Sequence, residues 1–210
     1  MLCAAAEAVG MTAAAAASRG SRALVGEPAG WGESALTIGL VTLGGIVEGT
    51  AVGLATHRGL RPVAPSLPKA RWVTVTTLVA ALGWAAGSAP AMLASGAGSA
   101  GAAPPVLLVL AGAVGIGLVM GGILGAAQAM VLRGHAAHPG RWIVASVLAW
   151  APAMAIIFAG ASVPGEGWRS AAVIVVGTVT GLAAGAVLGL VLGLWAPALG
   201  RAGGPRVSRR

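Results

Sequence analysis

Long apolar runs alternate with short polar segments along this chain, and most of the polar segments are cationic. The runs lie at about 34–55, 72–94, 106–132, 142–161 and 170–196, and none contains an Arg or Lys. A spanning helix needs about 20 apolar residues, and a cation at mid-bilayer costs about 2.5–3.5 kcal/mol on insertion scales. Five transmembrane helices are therefore expected, with 106–132 long enough to tilt or protrude. Residues 1–17 are apolar but Ala-rich and interrupted by Glu7, so alone they are ambiguous as a span. Residues 18–33, with Arg19, Arg22, Glu27, Pro28, Trp31 and Glu33, read as a charge-balanced loop. The expected fold is all-α, a polytopic transmembrane helical bundle. It forms a single membrane domain over 1–197 and carries a basic tail over 198–210.

Glycine spacing organises the runs. Gly45, Gly49 and Gly53 recur every fourth residue, as do Gly117, Gly121 and Gly125, and Gly181, Gly185 and Gly189. Each set falls on one helix face, where missing side chains let backbones approach, the expected mode of helix association in lipid. They are not phosphate-cradling loops, since no lysine or strand-to-helix transition accompanies them. The stretch Met120–Arg133 aligns with Glu48–Arg61, pairing Gly49 with Gly121, Gly53 with Gly125 and Thr56 with Gln128. In 170–196, Gly185 and Gly189 take the glycine positions and Leu192 stands opposite Gln128. Tryptophan-bearing helices, R-W-V-T-V-T-T-L-V-A-A-L-G-W and R-W-I-V-A-S-V-L-A-W, precede the second and third glycine helices. Laying A-E-A-V-G-M-T-A on G-W-A-A-G-S-A-P places Gly10 opposite Gly87 and makes 2–17 the end of a third, shortened helix of this type. The expected architecture is three repeated hairpins, six helices in all, with both termini on one side.

This pattern resembles a group of uncharacterised bacterial multi-pass membrane proteins whose spans carry E-G-x-x-x-G-x-x-Q followed by L-R, alternating with W-x-x-A-x-x-x-G-W helices. Here E-G-T-A-V-G-L-A-T keeps the glutamate and glycines but ends on Thr56. G-A-A-Q keeps Gln128, with Met120 in the glutamate's place. The resemblance implies topology and brings no activity with it.

Composition agrees with a lipid environment. The chain is 57% hydrophobic and 9% charged, against about 25% charged in soluble domains. The net charge of +8 sits in segments beside apolar runs, which points to anionic lipid headgroups rather than nucleic acid. The single cysteine excludes an internal disulfide. Arg58, Arg61, Lys69 and Arg71 follow the first run, Arg133 and Arg141 the third, and Arg201, Arg206, Arg209 and Arg210 the last. The alternate connections are uncharged (95–105) or balanced by Glu166 and Arg169. By the positive-inside rule the cationic side and the C-terminus are cytoplasmic. Trp31 and Trp168 then mark the outer boundary, and Trp72, Trp142 and Trp195 the inner one.

Few residues could carry chemistry. Glu48 lies well inside a span, with Thr56 on its face, and a buried carboxylate is expensive. It is expected to be protonated, to bond across helices with Gln128 or an indole, or to face a watery cavity. Gln128 reads chiefly as an interhelical bond donor. Trp84 and Trp150 lie deep and need acceptors for their N–H groups, while Pro90 and Pro152 are expected to kink or open their helices. His57, His135 and His138 lack the carboxylates or thiolates of a metal centre. No nucleophile–base pair can be assembled, so neither catalysis nor a cofactor is expected. The expected function is that of a structural or accessory protein of the bacterial plasma membrane, packing against lipid, a protein partner or its own copy. The alternative is a small transporter- or channel-like protein with a polar site at Glu48 and Gln128.

Overall fold

The computed structural model describes residues 1–26, 30–94, 105–165 and 167–200, excepting the side chains of 89–94. Among these there are six long helices and no strand: α1 (Leu2–Val25), α2 (Trp31–Leu60), α3 (Lys69–Ala94), α4 (Val106–Leu132), α5 (Arg141–Ala161) and α6 (Ser170–Trp195). A 3-10 turn, Ala196–Leu199, follows α6. In lipid a helix satisfies every backbone N–H and C=O internally, and the apolar runs fold accordingly. Glycines close some of them: Gly26 ends α1 at φ 71°, and Gly134 turns the chain after α4 at φ 81°, a conformation a Cβ would strain.

Four helices, α2, α4, α5 and α6 with its turn, are long and apolar enough to cross a membrane. Among the described residues the span expected at 72–94 is not one of the four, its last six side chains lying outside them, yet it falls within the continuous helix α3. It nonetheless packs along α2 from Val73 to Trp84, over the same depth. The N-terminal helix is also longer than expected. It runs 24 residues, through Arg19 and Arg22, and α2 begins at Trp31, so the expected loop over 18–33 is mostly helix. The arginine stem can lie along the helix while its head reaches the end of the bundle, and Arg19 donates a hydrogen bond to the Trp168 carbonyl there. Leu199 is fully buried, so the first residues of the expected tail belong to the bundle. The side chain of Pro90, and Glu27, Pro28, Glu166 and residues 201–210, lie outside the description. Pro152 sits within a continuous α5.

Each helix packs chiefly on its neighbours in chain order, and α6 returns to α1, closing a ring. Among the described residues the α3–α4 seam is the sparsest. The three glycine faces make the densest seams. A Cβ built on Gly49 would stand 2.8 Å from the Thr77 Cα of α3, on Gly121 3.0 Å from the Val147 Cα of α5, and on Gly185 2.7 Å from the Ala4 Cα of α1. Gly45 and Gly53 lie along the same contact with α3, Gly117 and Gly125 along that with α5, and Gly181 and Gly189 along that with α1. Each glycine helix therefore presses on a helix outside its own expected hairpin. The alignment of Gly10 with Gly87 does not follow the packing. Gly10 lies 2.5 Å (as a built Cβ) from Glu48 Cγ and Gly83 2.5 Å from Met120 Cε, whereas a Cβ at Gly87 meets nothing. The counterpart of Gly10 by contact is Gly83, one helical turn earlier.

Side chains facing away from the ring are apolar: Leu82, Leu107 and Leu194 are 69%, 81% and 72% exposed. Patches of this kind belong against lipid. The bundle is a membrane-embedded helical protein.

Gly121→Val and Gly185→Val are each expected to lower bundle stability by about 1–3 kcal/mol through overpacking. Gly115→Ala, where an added Cβ meets nothing, is expected to leave it unchanged or slightly raised. Melting of the purified protein in detergent checks both. A Gly121→Val variant as stable as the parent would mean that the α4–α5 seam is not set by backbone approach.

Candidate functional site

The polar side chains of the interior form two groups of opposite character. The first joins four helices near the cationic end. The Trp142 indole of α5 donates to Gln128 Oε1 of α4 at 2.7 Å, and Gln128 Nε2 donates to Thr76 Oγ1 of α3 at 2.8 Å. Thr76 donates to the Trp72 carbonyl at 2.9 Å. The Trp72 indole donates to Thr56 Oγ1 of α2 at 3.0 Å, and Thr56 donates to the Val52 carbonyl at 2.7 Å. The two indoles meet edge to face, centroids 5.7 Å apart. Every member is buried and has a partner, the condition under which a polar network rigidifies a core. Gln128 and Thr56 are thus held by tryptophans whose sequence positions gave no hint of the pairing.

The cationic end outside this network is interlocked. His57 Nε2 lies 3.0 Å from the Leu67 carbonyl, His135 Nδ1 3.0 Å from Ser66 Oγ, and Arg141 donates to the Ala198 carbonyl at 2.7 Å. The backbone N–H of His138 donates to the Leu199 carbonyl. Among the described residues no three ligating side chains gather to hold a metal.

The second group is carboxylic. Glu48, on the α2 face that lies against Gly10, is 5% exposed, and its Oε2 accepts a hydrogen bond from the Trp84 indole at 2.7 Å. The indole that needed an acceptor and the carboxylate that needed a donor satisfy one another across α2 and α3. One turn before Gly10 on α1 lies Glu7. It is fully buried, lies within electrostatic reach of Glu48, and neither of its carboxyl oxygens has a hydrogen-bond partner. In sequence Glu7 only interrupts an alanine run. Its position relative to Glu48 depends on how α1 meets α2, and no spacing encodes that.

Glu48 also forms part of the wall of a cavity of about 240 Å³ between α3, α4 and α5. Gly83 and Trp84 line it from α3, Met120 from α4, and Trp150 and Phe158 from α5. The wall is apolar apart from the Glu48 carboxyl, Ser88 and the indole N–H groups, and Gln128 takes no part in it. The structure therefore separates the two intramembrane polar candidates: Gln128 and Thr56 belong to the satisfied network, Glu48 to the cavity and the carboxyl pair. Such a hollow, apolar and with one ionisable group among the described residues of its wall, is the shape of a small-molecule site. Compared with protein-family models, curated proteins and solved structures, the chain finds no match.

Replacing Gln128 by Leu leaves the Trp142 N–H without its acceptor and is expected to lower stability by about 1–2 kcal/mol. In a Trp142→Phe background the same change should cost clearly less, and a double-mutant cycle in detergent reads the difference. Strict additivity would show that the bond carries no energy. Glu7→Met removes an unpartnered buried carboxyl and is expected to raise stability by about 1–3 kcal/mol. A destabilised Glu7→Met protein would mean that Glu7 has a structural partner.

Proposed function

We propose that this protein is a small-molecule-binding protein of the bacterial plasma membrane, transporter-like in design, whose site is the cavity beside Glu48. The observation that carries this reading is a hollow of about 240 Å³ reaching an intramembrane carboxylate, since ionisable groups at that depth are expensive and usually functional. The sparse α3–α4 seam lies beside it, and both helices contribute to its wall, a route by which a lipid-dissolved molecule reaches the site from the bilayer. The cavity moves the polar site away from Gln128, whose hydrogen bonds are already taken.

The orientation that goes with this reading puts the C-terminus in the cytoplasm. Arg58, Arg61, Lys69, Arg71, Arg133 and Arg141 flank connections at one end of the bundle, where they are placed to meet anionic headgroups. Arg19, Arg22 and Arg169 at the other end reduce the asymmetry without reversing it. The chain is further read as three two-helix repeats. Its support is the matching use of Trp72 on Thr56 and Trp142 on Gln128, and of the three glycine faces.

A second reading is that of a structural or accessory protein, favoured by the close glycine seams and the fully partnered Gln128 network. Bromobenzene separates the two, because its heavy atom quenches tryptophan fluorescence and Trp84 and Trp150 line the cavity. Apolar cavities of this order bind benzene-sized ligands. Saturable quenching is expected in the purified protein, weakened about tenfold when Val79→Phe and Ile116→Phe together fill the space. Quenching that never saturates and is indifferent to the filling would favour the structural role.

A further inference from the structure

The chemistry of the cavity wall narrows its ligand, on the premise that the cavity binds one. Among the described residues lining it there is no Lys, Arg or His, and the one ionisable group is Glu48. The Trp84 indole occupies Oε2 of that carboxyl, which leaves most of the four lone-pair positions of a carboxylate for something else. Around the carboxyl stand the rings of Trp84, Trp150 and Phe158 and the thioethers of Met120 and Met154. Aromatic rings attract cations through their quadrupoles, most strongly those too bulky to carry tight water shells, and thioethers are polarizable neighbours for an apolar body.

We infer that the ligand of this cavity is a small apolar organic cation, its charged head held at the Glu48 carboxyl among the rings of Trp84, Trp150 and Phe158. A metal ion fits less well. Hard cations take about six to eight oxygen ligands, and the described wall offers one carboxyl and the hydroxyl of Ser88. The cavity volume, about 240 Å³, lies just below the roughly 300–1,000 Å³ typical of drug-sized sites, so the ligand is a compact one. Its apolar body also accounts for access, since the described residues that α3 and α4 bring to the wall are apolar apart from Ser88 and the Trp84 indole.

Benzyltrimethylammonium and neopentylbenzene have the same shape and differ in charge, so a comparison of the two isolates the inference. In the full chain, purified and reconstituted in lipid nanodiscs, the cation is expected to bind at least about tenfold more tightly than its neutral isostere by quenching of tryptophan fluorescence. Glu48→Gln keeps an acceptor for the Trp84 indole and should bring the ratio close to one. Trp150→Leu should weaken the cation more than the isostere, which gives an independent reading should Glu48→Gln fail to fold. Equal binding of the two probes to the parent protein, or a preference that survives Glu48→Gln, would overturn the assignment of ligand class and leave the cavity reading standing. Binding of neither probe would overturn both.

Discussion

Backbone-to-backbone contact along three glycine faces is the constraint on which the rest of this structure depends. In water, apolar helices are driven together by expulsion from solvent. In a bilayer that drive is absent, because the lipid is as apolar as the side chains. What remains is close packing, and it accumulates only where helices approach within a few ångströms over several turns. The faces of α2, α4 and α6 achieve this against α3, α5 and α1. Because each seam joins a helix to one beyond its own expected hairpin, and the last joins α6 back to α1, the ring is tied across its hairpins as well as within them. The register of the ring follows from these seams, since a shift of even one residue would carry the glycines off the contact and bring a Leu or Val onto the partner's backbone. The positions of every buried polar group are set by that register.

Much of this was legible in the sequence because it rests on local composition. Apolar length gave the helices, and a four-residue glycine period gave the packing faces, both properties of a single segment. The limits of reading by segment show at α1 and α3. The arginines at 19 and 22 looked like a loop because a charge within a helix was read as leaving the membrane, whereas a long side chain at the end of a helix can reach back to the boundary. In α3, which was expected as a span, Thr76 and Thr77 are spent on contacts with Gln128 and Thr50, partners that its own segment does not show. A threonine whose hydroxyl is bonded to its own helix or a neighbour is far less polar in effect than its hydropathy value.

The polar interior was legible as to residue and opaque as to partner. Glu48 and Gln128 stand out in any apolar run, and an indole was among the partners open to Glu48, but nothing local separates Trp84 from the other tryptophans. Glu7 was the least visible of all. Its significance arises from α1 lying between α2 and α6, a three-helix relation that one segment cannot express. The contacts match Gly10 with Gly83 rather than with Gly87 for a related reason: in an Ala/Gly-rich helix several registers align equally well by residue type, and the bulk of Glu48 and Met120 seated on Gly10 and Gly83 distinguishes them.

If the ring is built of three like units, the units have come to differ where it matters for chemistry. The place held by Glu48 in α2 is held by Met120 in α4 and, one unit on, by the buried Ala184 of α6. The place of Thr56 is taken by Gln128 and then by Leu192. Large and small side chains at equivalent positions cannot fill equivalent spaces, and a ring that keeps its glycine seams constant must absorb the difference elsewhere. Here the α3–α4 seam is the sparsest, and the cavity lies beside it, bordered by Met120 and by the Glu48 carboxyl from the adjoining unit. A uniform ring would have offered the same wall three times or none. On the reading of the chain as three like units, differences at these few positions gather the Glu48 carboxyl, aromatic rings and free volume in one sector.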